Sequence, residues 1–512
     1  MPDSQPPVIV IGAGVAGLTA ALHLAERGLP VTVLEADPRF AGGRLAGRDP
    51  VSVDGWSFPL EHGVHGIWSS YLNFQAMLGR HRIRPMFVPA QEEDWFYRHG
   101  ARLKKAAVGS AIRQSWIPAP FHYLTLFLKP AFLASIDLRD WLSLFNVWSG
   151  LLFAIGIDPL VEHQPLSGMH MSDVIGSWSP ALRALFIGLA RSGLSGQPSE
   201  IPLSGFLAFL RFYTVLRRDS WAFSYLPADG GTRIIQPMVT RLQALGGCLV
   251  LGKRVACLER SGPDWLLTCE SSLPDGAPSV ETLRAEQVVL AVDAPAAKAL
   301  LRASAHTAQQ AAGLIFPRGT ATAVVRLWFD RKPDQSAEAG IFSGDFILDN
   351  FFWLDRIQEP FLRWSRATGG SAIEAHIYGP PALLAEPDAA LLARAITDVQ
   401  AAFPELRGRR TFQHLQRNPP THTLLGLAPA EQHPGIELPW PGLFCCGDWV
   451  RHPNPALFLE RATVTAIAAA NAVLQARALP AWPILPHPRP EPFAAWLEKL
   501  MRRGRRARKA SR

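Results

Sequence analysis

Two kinds of hydrophobic pattern alternate along this chain. In the first kind, a continuous apolar run at residues 8–11 is followed by a glycine-rich turn, an alanine- and leucine-rich stretch at 16–26 and a second apolar run at 31–34. Continuous apolar runs are typical of buried parallel strands, and the stretch between them is long enough for a helix. The same style returns at residues 225–300 and 443–475. These segments predict strand–helix–strand units of a nucleotide-binding sheet.

The second kind of pattern fills the segments in between. Residues 91–215 are rich in Trp, Phe and Leu and predict helices interrupted at prolines, whereas residues 320–330 alternate in the manner of a sheet strand. We therefore expect an α/β chain in which a Rossmann-type domain is interleaved with an α+β substrate domain. The Rossmann-type parts are expected at residues 1–90, 221–305 and 421–478, the substrate-domain parts at 91–220 (helical) and 306–420, and a proline-rich linker and basic tail at 479–512.

Gly12, Gly14 and Gly17 follow the first predicted strand with the spacing G-x-G-x-x-G. The first glycine of this motif allows a tight turn, the second lets the backbone approach a pyrophosphate, and the third lets the helix pack close to the strand. The pyrophosphate then lies at the helix N-terminus, which favours negative charge. Glu35 ends the next strand, 23 residues after Gly12, where a carboxylate reaches a ribose 2′-hydroxyl and repels the 2′-phosphate of NADP. These residues predict a site for NAD or FAD.

Three further residues favour FAD. Gly42 and Gly43 let the next loop cross the phosphates, and Arg44 can neutralise them. The sequence has no second G-x-G-x-x-G unit, which flavoproteins that take electrons from NAD(P)H at their own Rossmann site usually carry. We therefore expect the electrons to come from the substrate.

A second signal for a bound cofactor, a Gly-Asp pair, lies near the C-terminus. Gly447 and Asp448 end an apolar strand shortly before an alanine-rich helix. An acidic residue at this position can bind the hydroxyls of a ribityl chain, and the dipole of the following helix can stabilise an anionic reduced flavin. The candidate cofactor-binding set also includes Ala16, Ala36 and Val255.

Composition and charge narrow the class of protein. With 48% hydrophobic and 18% charged residues, the chain is not expected to be disordered. Five cysteines, two of them adjacent, form neither a disulfide framework nor a spaced zinc site, so we expect a reducing, cytoplasmic environment and no metal. Of the net charge of +8, residues 491–512 carry +6. Because the body is nearly neutral, we expect no nucleic-acid partner, and the basic tail could contact anionic lipid instead.

The sequence also predicts how the chain meets a membrane. No secretory signal is visible, and the longest uncharged run of the apolar middle region covers residues 141–157, whereas a spanning helix needs roughly 20 residues. This run is either a buried helix or a face that dips into one leaflet. In the tail, Phe493, Trp496 and Leu500 precede a cluster of arginines, which suits an interfacial helix; a disordered solubilising tail is the alternative. We expect a peripheral membrane contact.

The motifs together resemble the flavin amine oxidase and carotenoid desaturase superfamily. Residues 61–73, which begin Glu-His-Gly-Val-His, are similar to a segment of plant-type phytoene desaturases, and residues 325–332 resemble the Trp-Phe-Asp-Arg-Lys strand of that family. Leu72 stands where the desaturases have Pro. Residues 459–462 read Leu-Glu-Arg-Ala where phytoene desaturases usually have Met-Glu-Gly-Ala.

The arginine in that last motif is more similar to isorenieratene synthases. These bacterial relatives desaturate and rearrange a β-ionone ring of a carotenoid. Residues 352–356 and 374–379 also resemble that branch. Which carotenoid reaction the chain catalyses is therefore open at this point.

The resemblance implies a glutathione-reductase-like Rossmann domain that binds FAD. It also implies desaturation, with or without rearrangement, of a carotenoid or related isoprenoid by hydride transfer to flavin N5, with quinone or oxygen as electron acceptor. The aromatic region 91–215 would line a hydrophobic tunnel, and the candidate catalytic residues are His65, Arg326 and Glu460. Amine oxidases usually place a lysine near flavin N5 on the strand that contains Arg326, and arginine replaces it poorly because it does not deprotonate. A flavin amine or amino-acid oxidase and a redox-neutral FAD-dependent carotenoid isomerase are the alternatives.

Overall fold

A computed structural model describes residues 6–271, 279–427 and 429–510 of the chain, with side chains as far as residue 505. The α-helices of the described residues are α1 (Val15–Ala25), α2 (Leu72–Arg80), α3 (Gly109–Arg113), α4 (Pro130–Leu133), α5 (Leu138–Gly156), α6 (Met171–Ile175), α7 (Pro180–Leu194), α8 (Leu203–Leu210), α9 (Gln236–Ala244), α10 (Ala294–Ala303), α11 (Ala305–Ala311), α12 (Leu354–Ile357), α13 (Glu359–Thr368), α14 (Pro381–Leu384), α15 (Asp388–Ala402), α16 (Phe458–Ala476) and α17 (Pro492–Ala510). The β-strands are β1 (Val8–Ile11), β2 (Val31–Leu34), β3 (Arg48–Val53), β4 (Trp56–Leu60), β5 (Gly66–Trp68), β6 (Val88–Pro89), β7 (Glu93–His99), β8 (Arg102–Ala107), β9 (Phe223–Tyr225), β10 (Cys248–Val250), β11 (Lys253–Ser261), β12 (Asp264–Ser271), β13 (Ser279–Ala285), β14 (Val288–Leu290), β15 (Gly319–Phe329), β16 (Ala339–Gly344), β17 (Asn350–Trp353), β18 (Ser371–Ile377), β19 (Arg410–Thr423) and β20 (Leu443–Cys445).

A five-stranded parallel sheet in the order β10-β2-β1-β14-β20 forms the first body. Along β1, Val8 and Val10 belong to the core shared with α1 and α16, whereas Ile9 and Ile11 belong to a second core shared with the antiparallel sheet β11-β12-β13. Both faces of the parallel sheet are covered, which explains why its strands are continuous apolar runs. The strands predicted at residues 8–11 and 31–34 are observed as β1 and β2.

A seven-stranded mixed sheet in the order β19-β15-β18-β17-β16-β7-β8 forms the second body. β15 contains the strand predicted at residues 320–330 and pairs antiparallel with β18 and β19. The helices of residues 109–210 pack beside this sheet, and α7 contacts β16 and β7. The α/β class with a Rossmann-type domain interleaved with an α+β region is therefore confirmed.

The proline-rich segment after α16 is packed against the body. Trp482 Nε1 donates a hydrogen bond to the His23 carbonyl at 2.9 Å, and the Cζ atoms of Arg27 and Arg80 lie 3.9 and 4.2 Å from its ring centroid. This segment thus fixes the start of the C-terminal region on α1 and α2, although composition predicts only a linker.

The basic tail forms a helix, α17, that packs on α5. Arg502 Nη2 lies 3.0 Å from Asp158 Oδ2, and Arg505 Nη2 lies 2.8 Å from Glu162 Oε2. Part of the tail's charge is therefore neutralised by the body itself. The side chains of Arg506, Arg508 and Lys509 and the residue Arg512 lie outside the described residues.

Within the described ranges, no helix is long and apolar enough to cross a bilayer. The uncharged run at residues 141–157 lies almost entirely in α5, which has one buried side and one exposed side. One side of α5 buries Val147 and Leu151, whereas Leu142 and Phe145 on the other side are 74% and 81% exposed.

Candidate active site

A cavity of about 1050 Å³ joins the two bodies. It begins at the carboxyl ends of β1, β2, β14 and β20, which is where open parallel sheets bind their ligands. From there it continues into the space between the seven-stranded sheet and helices α5, α7 and α8. The two ends have different linings.

The glycine motif forms the first end. A Cβ on Gly12 would lie 2.7 Å from the Ala291 carbonyl oxygen, and a Cβ on Gly17 would lie 1.9 Å from the Gly12 carbonyl oxygen. Only glycine fits at these two positions, because the protein's own backbone already occupies the space that a Cβ would need. A Cβ on Gly14 would have no protein atom nearer than 4.0 Å, the Gly42 oxygen. Gly14 thus leaves its space open to the cavity.

Glu35 lies at the end of β2 and lines the same part of the cavity, as do Ala36 and Val255. Its Oε2 accepts a hydrogen bond from the Ala13 backbone N–H at 2.9 Å, and its Oε1 accepts one from the Asp37 N–H at 3.0 Å. Burial raises the pKa of this carboxyl, whereas the backbone hydrogen bonds lower it. The carboxylate is fixed beside the α1 N-terminus, as the sequence predicts for a ribose contact.

Arg44 and Asp448 meet in the middle of the cavity lining. Arg44 Nη2 donates a hydrogen bond to Asp448 Oδ2 at 2.5 Å, and Thr423 Oγ1 donates one to Asp448 Oδ1 at 3.0 Å. The sequence assigns phosphate neutralisation to Arg44 and a ribityl contact to Asp448, two separate tasks. The structure brings the two side chains together as one ion pair, with Gly447 and Gly43 also in the lining.

These residues fit a bound dinucleotide. A Cβ on Gly43 would be 3.7 Å from its nearest protein neighbour, the Gly14 Cα, so both glycines border the same open cradle. Ala16 lines it at the first turn of α1. Free backbone N–H groups at a helix N-terminus together with a guanidinium provide the charge that phosphates need. Asp293, which sequence reasoning missed, also lines this end.

At the second end, a closed circuit of ring side chains surrounds the cavity; we call it the aromatic collar. Each ring contacts the next, with centroid separations from 4.5 to 6.5 Å. In order around the circuit, the rings are Trp68, Tyr213, Phe458, His422, Tyr378, His376, Phe352, Tyr225 and Phe223. All of them line the cavity.

The deeper lining is apolar and comes from the region in which the sequence predicts a tunnel. Leu144, Val147, Trp148 and Leu151 of α5 line it, together with residues of α7. Glu93 is an exception. It also lines the cavity and accepts hydrogen bonds from Arg113 Nη1 at 2.8 Å. Burial raises the pKa of Glu93 to about 7, although Arg113 opposes that shift.

His65 lines the cavity, as its candidate role requires. Its Nδ1 lies 3.6 Å from Glu61 Oε2, and Glu61 also accepts a hydrogen bond from the Gly230 N–H at 2.9 Å. His62 and His422 lie in the same lining. Burial lowers the pKa values of His62 and His422, the latter to about 3, so these rings are neutral at pH 7.

Arg326 lies outside the cavity lining and is 2% exposed. Its Nε donates a hydrogen bond to Glu374 Oε2 at 2.6 Å, and its other nitrogens bond Gln416 Oε1 at 3.1 Å and the Glu61 carbonyl at 2.9 Å. A guanidinium with these partners has no direct contact with a ligand in the cavity. A catalytic role for Arg326 stays a prediction; in the structure its side chain supports Glu374.

Glu460 likewise lies outside the cavity lining, and its catalytic role stays a prediction. Its carboxylate accepts hydrogen bonds from the Asn73 and Phe74 N–H groups, both at 2.9 Å, which are free donors at the start of α2. Glu460 therefore joins α16 to α2 as a cap. The neighbouring Arg461 donates hydrogen bonds to the Val450 and Ala456 carbonyls at 2.9 and 3.1 Å. Arg461, which resembles the arginine of the isorenieratene synthases, therefore stabilises the loop before α16.

The family is decided by comparison with known proteins. The family model described as "Flavin containing amine oxidoreductase" matches residues 15–474. The chain belongs to this family. It is therefore a flavin-dependent oxidoreductase, and the cradle at Gly14 and Gly43 is where its residues fit the cofactor.

Curated relatives narrow the similarity within the family. The chain is 26% identical over 481 residues to a carotenoid phi-ring synthase of Streptomyces griseus, covering 92% of this chain and 88% of that protein. It is 25% identical over 346 residues to the 15-cis-phytoene desaturase of Arabidopsis thaliana, covering 67% of this chain and 57% of that protein.

Among solved structures, cyclohexylamine oxidase from Brevibacterium oxydans aligns with a TM-score of 0.65 at 16% identity, covering 93% of this chain and 100% of that chain. This likeness concerns the fold. The family match and the curated relatives confirm the superfamily that the sequence motifs indicate.

Sequence reasoning missed the collar because its members come from distant segments. Two of them, His376 and Tyr378, share a visible signal with the nearby Glu374, however. Glu374, His376 and Tyr378 alternate along β18 and the residue after it, so they lie on one face of the sheet. The pattern Glu-x-His-x-Tyr thus places three titratable groups on one face, and two of them, His376 and Tyr378, line the cavity.

Proposed function

We propose that this flavin-dependent oxidoreductase holds FAD and desaturates a carotenoid or a related isoprenoid, with rearrangement of a ring end group as the further step suggested by the phi-ring synthase relatives. The observation that carries the proposal is the second end of the cavity. The aromatic collar leads into an apolar lining made by α5 and α7. A long polyene gains free energy from burial there, about 25 cal/mol for each Å² of apolar surface removed from water.

The first end of the cavity supports FAD as the form of the flavin. Glu35 would hold the adenosine ribose, the pyrophosphate would lie against Gly14 and Arg44, and Asp448 would meet the ribityl hydroxyls. When bound, FAD supplies the acceptor for a hydride from the substrate. The chain's own contribution is to orient the substrate and to keep water out of the collar.

An exposed apolar surface, which we call the apolar patch, supports entry of substrate from a membrane. It consists of Leu128, Leu138, Trp141, Leu142, Phe145, Phe493, Trp496 and Leu500. Patches of large exposed apolar side chains are typical of membrane or partner contacts.

The apolar patch is continuous with the cavity. The exposed Trp141 ring lies 5.2 Å from Phe127, which lines the cavity. Phe493 lies 5.7 Å from Phe121, which in turn lies 5.2 Å from the cavity-lining Trp148. An apolar substrate could therefore pass from a bilayer to the collar without crossing water. A membrane quinone or dissolved oxygen would then accept the electrons.

A second candidate is amine oxidation. The observation that favours it is the collar itself, because aromatic faces attract an organic cation by about 0.5–2 kcal/mol each. The apolar lining beyond the collar favours the polyene, since a small amine would leave most of it unused. A redox-neutral isomerase is the remaining alternative.

The test is expression in a carotenoid-producing host with pigment analysis, followed by anaerobic mixing of the purified protein with carotenoid in liposomes. We expect new desaturated or ring-modified pigments and bleaching of the flavin absorbance by the carotenoid. Bleaching by cyclohexylamine or putrescine, without bleaching by carotenoids, would support the amine oxidase instead. Conversion of a carotenoid only when the flavin is reduced beforehand, with no net change in its redox state, would support the isomerase.

A further inference from the structure

Three side chains of β18 and its end form a hydrogen-bonded chain that reaches the cavity. Glu374 Oε1 lies 2.7 Å from His376 Nε2, and His376 Nδ1 lies 2.7 Å from the Tyr378 hydroxyl. His376 and Tyr378 line the cavity and belong to the aromatic collar. We call this chain of three residues the β18 relay.

The protonation states of the relay follow from its partners. Burial by itself would raise the pKa of Glu374, but the Arg326 guanidinium and His376 lower it to about 2, so Glu374 is a carboxylate. A carboxylate only accepts hydrogen bonds, so His376 must carry its proton on Nε2. In the neutral ring Nδ1 is then an acceptor, and the Tyr378 hydroxyl donates to it. The Tyr378 oxygen also accepts a long hydrogen bond from Asn350 Nδ2 at 3.5 Å, which leaves it one further lone pair in a residue that lines the cavity.

We propose that the β18 relay is the proton acceptor of the reaction, with the Tyr378 oxygen as the atom that meets the substrate. This inference rests on the proposed function. Removal of a hydride from the substrate, accepted by the flavin, leaves a carbocation. A proton on the neighbouring carbon then moves to the Tyr378 oxygen, the hydroxyl proton of Tyr378 moves to His376 Nδ1, and the electron pair of the broken C–H bond becomes the new double bond.

The relay is built to hold the proton that it accepts. Protonation of Nδ1 makes an imidazolium whose other N–H already points at the Glu374 carboxylate, the same logic by which a carboxylate stabilises the histidine of a hydrolase triad. The aromatic collar surrounds the position where the substrate carries positive charge and can stabilise it before the proton leaves.

Arg326 and the main chain act as positioning groups for the relay. Arg326 is the register partner of Glu374 across β15 and β18, and the Val64 N–H donates to Glu374 Oε1 at 2.6 Å. Gly63 makes room for the imidazole, because a Cβ at this residue would lie 3.0 Å from His376 Nε2. Arg326 keeps the Glu374 carboxylate ionised, and for this purpose the arginine itself does not have to lose a proton.

Other groups of the lining are less suited to this task. Glu93 is held by two contacts from Arg113. Burial and the Arg44 charge lower the pKa of His422, and burial and His422 lower that of His62, so both are weak bases. His65 faces Glu61 across 3.6 Å and is the nearest competitor.

The first arm of the test is independent of turnover. ¹⁵N NMR of the flavin-loaded protein with labelled histidine should show His376, assigned by its loss in His376→Asn, as a neutral ring protonated on Nε2. A ring protonated on Nδ1 would overturn the proposal whether or not any substrate is found, because Tyr378 could not then donate to it.

The second arm separates the two steps of the reaction. On anaerobic mixing of Tyr378→Phe with carotenoid, we expect bleaching of the flavin within a few-fold of the wild-type rate, but formation of the desaturated product about 100-fold slower. His376→Asn should act in the same direction. Tyr97→Phe, which removes a hydroxyl outside the cavity lining, is the matched control and should behave as wild type.

The outcomes are distinguishable from failure of the proposed function. Product formation at the wild-type rate in Tyr378→Phe and His376→Asn, with a loss in His65→Asn instead, would assign the proton to His65 and overturn the relay. Absence of bleaching by carotenoids in the wild-type protein would overturn the proposed function, and the tautomer of His376 would then decide the relay by itself.

Discussion

The two ends of the cavity are made in different ways. At the nucleotide end, closely packed backbone sets the shape of the cavity: carbonyl oxygens lie 2.7 and 1.9 Å from where a Cβ of Gly12 and of Gly17 would be, whereas Gly14 opens onto free space. At the substrate end, the lining is large side chains, and the aromatic collar continues into the exposed apolar patch. The first end therefore tolerates almost no added volume, whereas the second can change its side chains and, with them, its substrate.

The largest effect is expected from added volume at the nucleotide end. Gly17→Ala places a methyl group into the Gly12 carbonyl and should reduce the free energy of unfolding by about 4–5 kcal/mol, among the largest single-residue effects. Gly14→Val, in contrast, should stay folded with a stability within about 1 kcal/mol of wild type, but lose its flavin. Thermal unfolding by circular dichroism and flavin absorbance after purification measure the two properties.

Gly79→Ala is the control for these two variants. Gly79 lies in α2 with no atom within 4 Å of its Cβ position, so alanine there should leave the flavin in place and stabilise the protein slightly. A Gly14→Val protein with a full complement of flavin would show that the cofactor does not approach this backbone, and the assignment of the cradle would have to be abandoned.

The next effect concerns the buried ion pair behind the collar. Arg326→Met should reduce the free energy of unfolding by about 3–5 kcal/mol, because Glu374 would be left as a buried charge without its main partner. Arg39→Met removes an ion pair whose members are 56% and 65% exposed, and it should cost less than about 1 kcal/mol. Urea unfolding of both variants makes the comparison, and equal losses would contradict it.

The ion pair of Glu374 also makes the free energy of unfolding depend on pH. Its pKa is about 2 in the folded protein, whereas that of an unperturbed glutamate is 4.5. A lowered folded pKa means that the stabilisation is complete above the unfolded value and is lost as the pH falls from about 4.5 towards 2. In Arg326→Met this acid-induced loss should shrink, which a series of unfolding curves between pH 5 and 3 measures.

The two ends also differ in how far the sequence predicts them. The glycines and Glu35 lie within 24 consecutive residues, and their spacing carries the chemistry, so the Rossmann-type domain and its cofactor residues are visible in the sequence. The collar takes Trp68, Tyr213, Phe352 and Phe458 from segments that only the fold brings together. Arg326 and Glu460 are candidates because they lie in motifs that resemble those of the family, but a motif does not tell whether a charged side chain faces a cavity or caps a helix.

A smaller effect should appear at the apolar patch, where the substrate end opens outwards. Leu142→Glu with Phe145→Glu should weaken binding to neutral phosphatidylcholine vesicles, because burying each side chain contributes about 1.5–3 kcal/mol. Flavin content should not change. Val280→Glu is the matched control, since Val280 is 70% exposed on β13 of the nucleotide-binding body. Vesicle sedimentation measures the difference, and equal binding by both variants would remove the patch as the point of entry.

The smallest effect is expected from the charges of α17. Lys499 and Arg503 are exposed, whereas Arg502 and Arg505 form ion pairs with Asp158 and Glu162. Among the side chains of α17 that the structure describes, these two exposed charges are the ones placed to face anionic lipid, where each contributes about 1 kcal/mol within a Debye length.

Lys499→Gln with Arg503→Gln should therefore weaken binding to phosphatidylserine-containing vesicles by up to about 2 kcal/mol at low salt, and the difference from wild type should vanish at high salt. Arg363→Gln with Arg366→Gln removes two exposed charges from α13 and should change neither value. Deletion of α17 is a less selective experiment, because it also breaks the ion pairs with Asp158 and Glu162, just after α5, and exposes the residues that α17 covers. If the double charge variant keeps the salt profile of wild type, the helix is attached to the body for stability, and apolar contacts alone account for any attachment to the membrane.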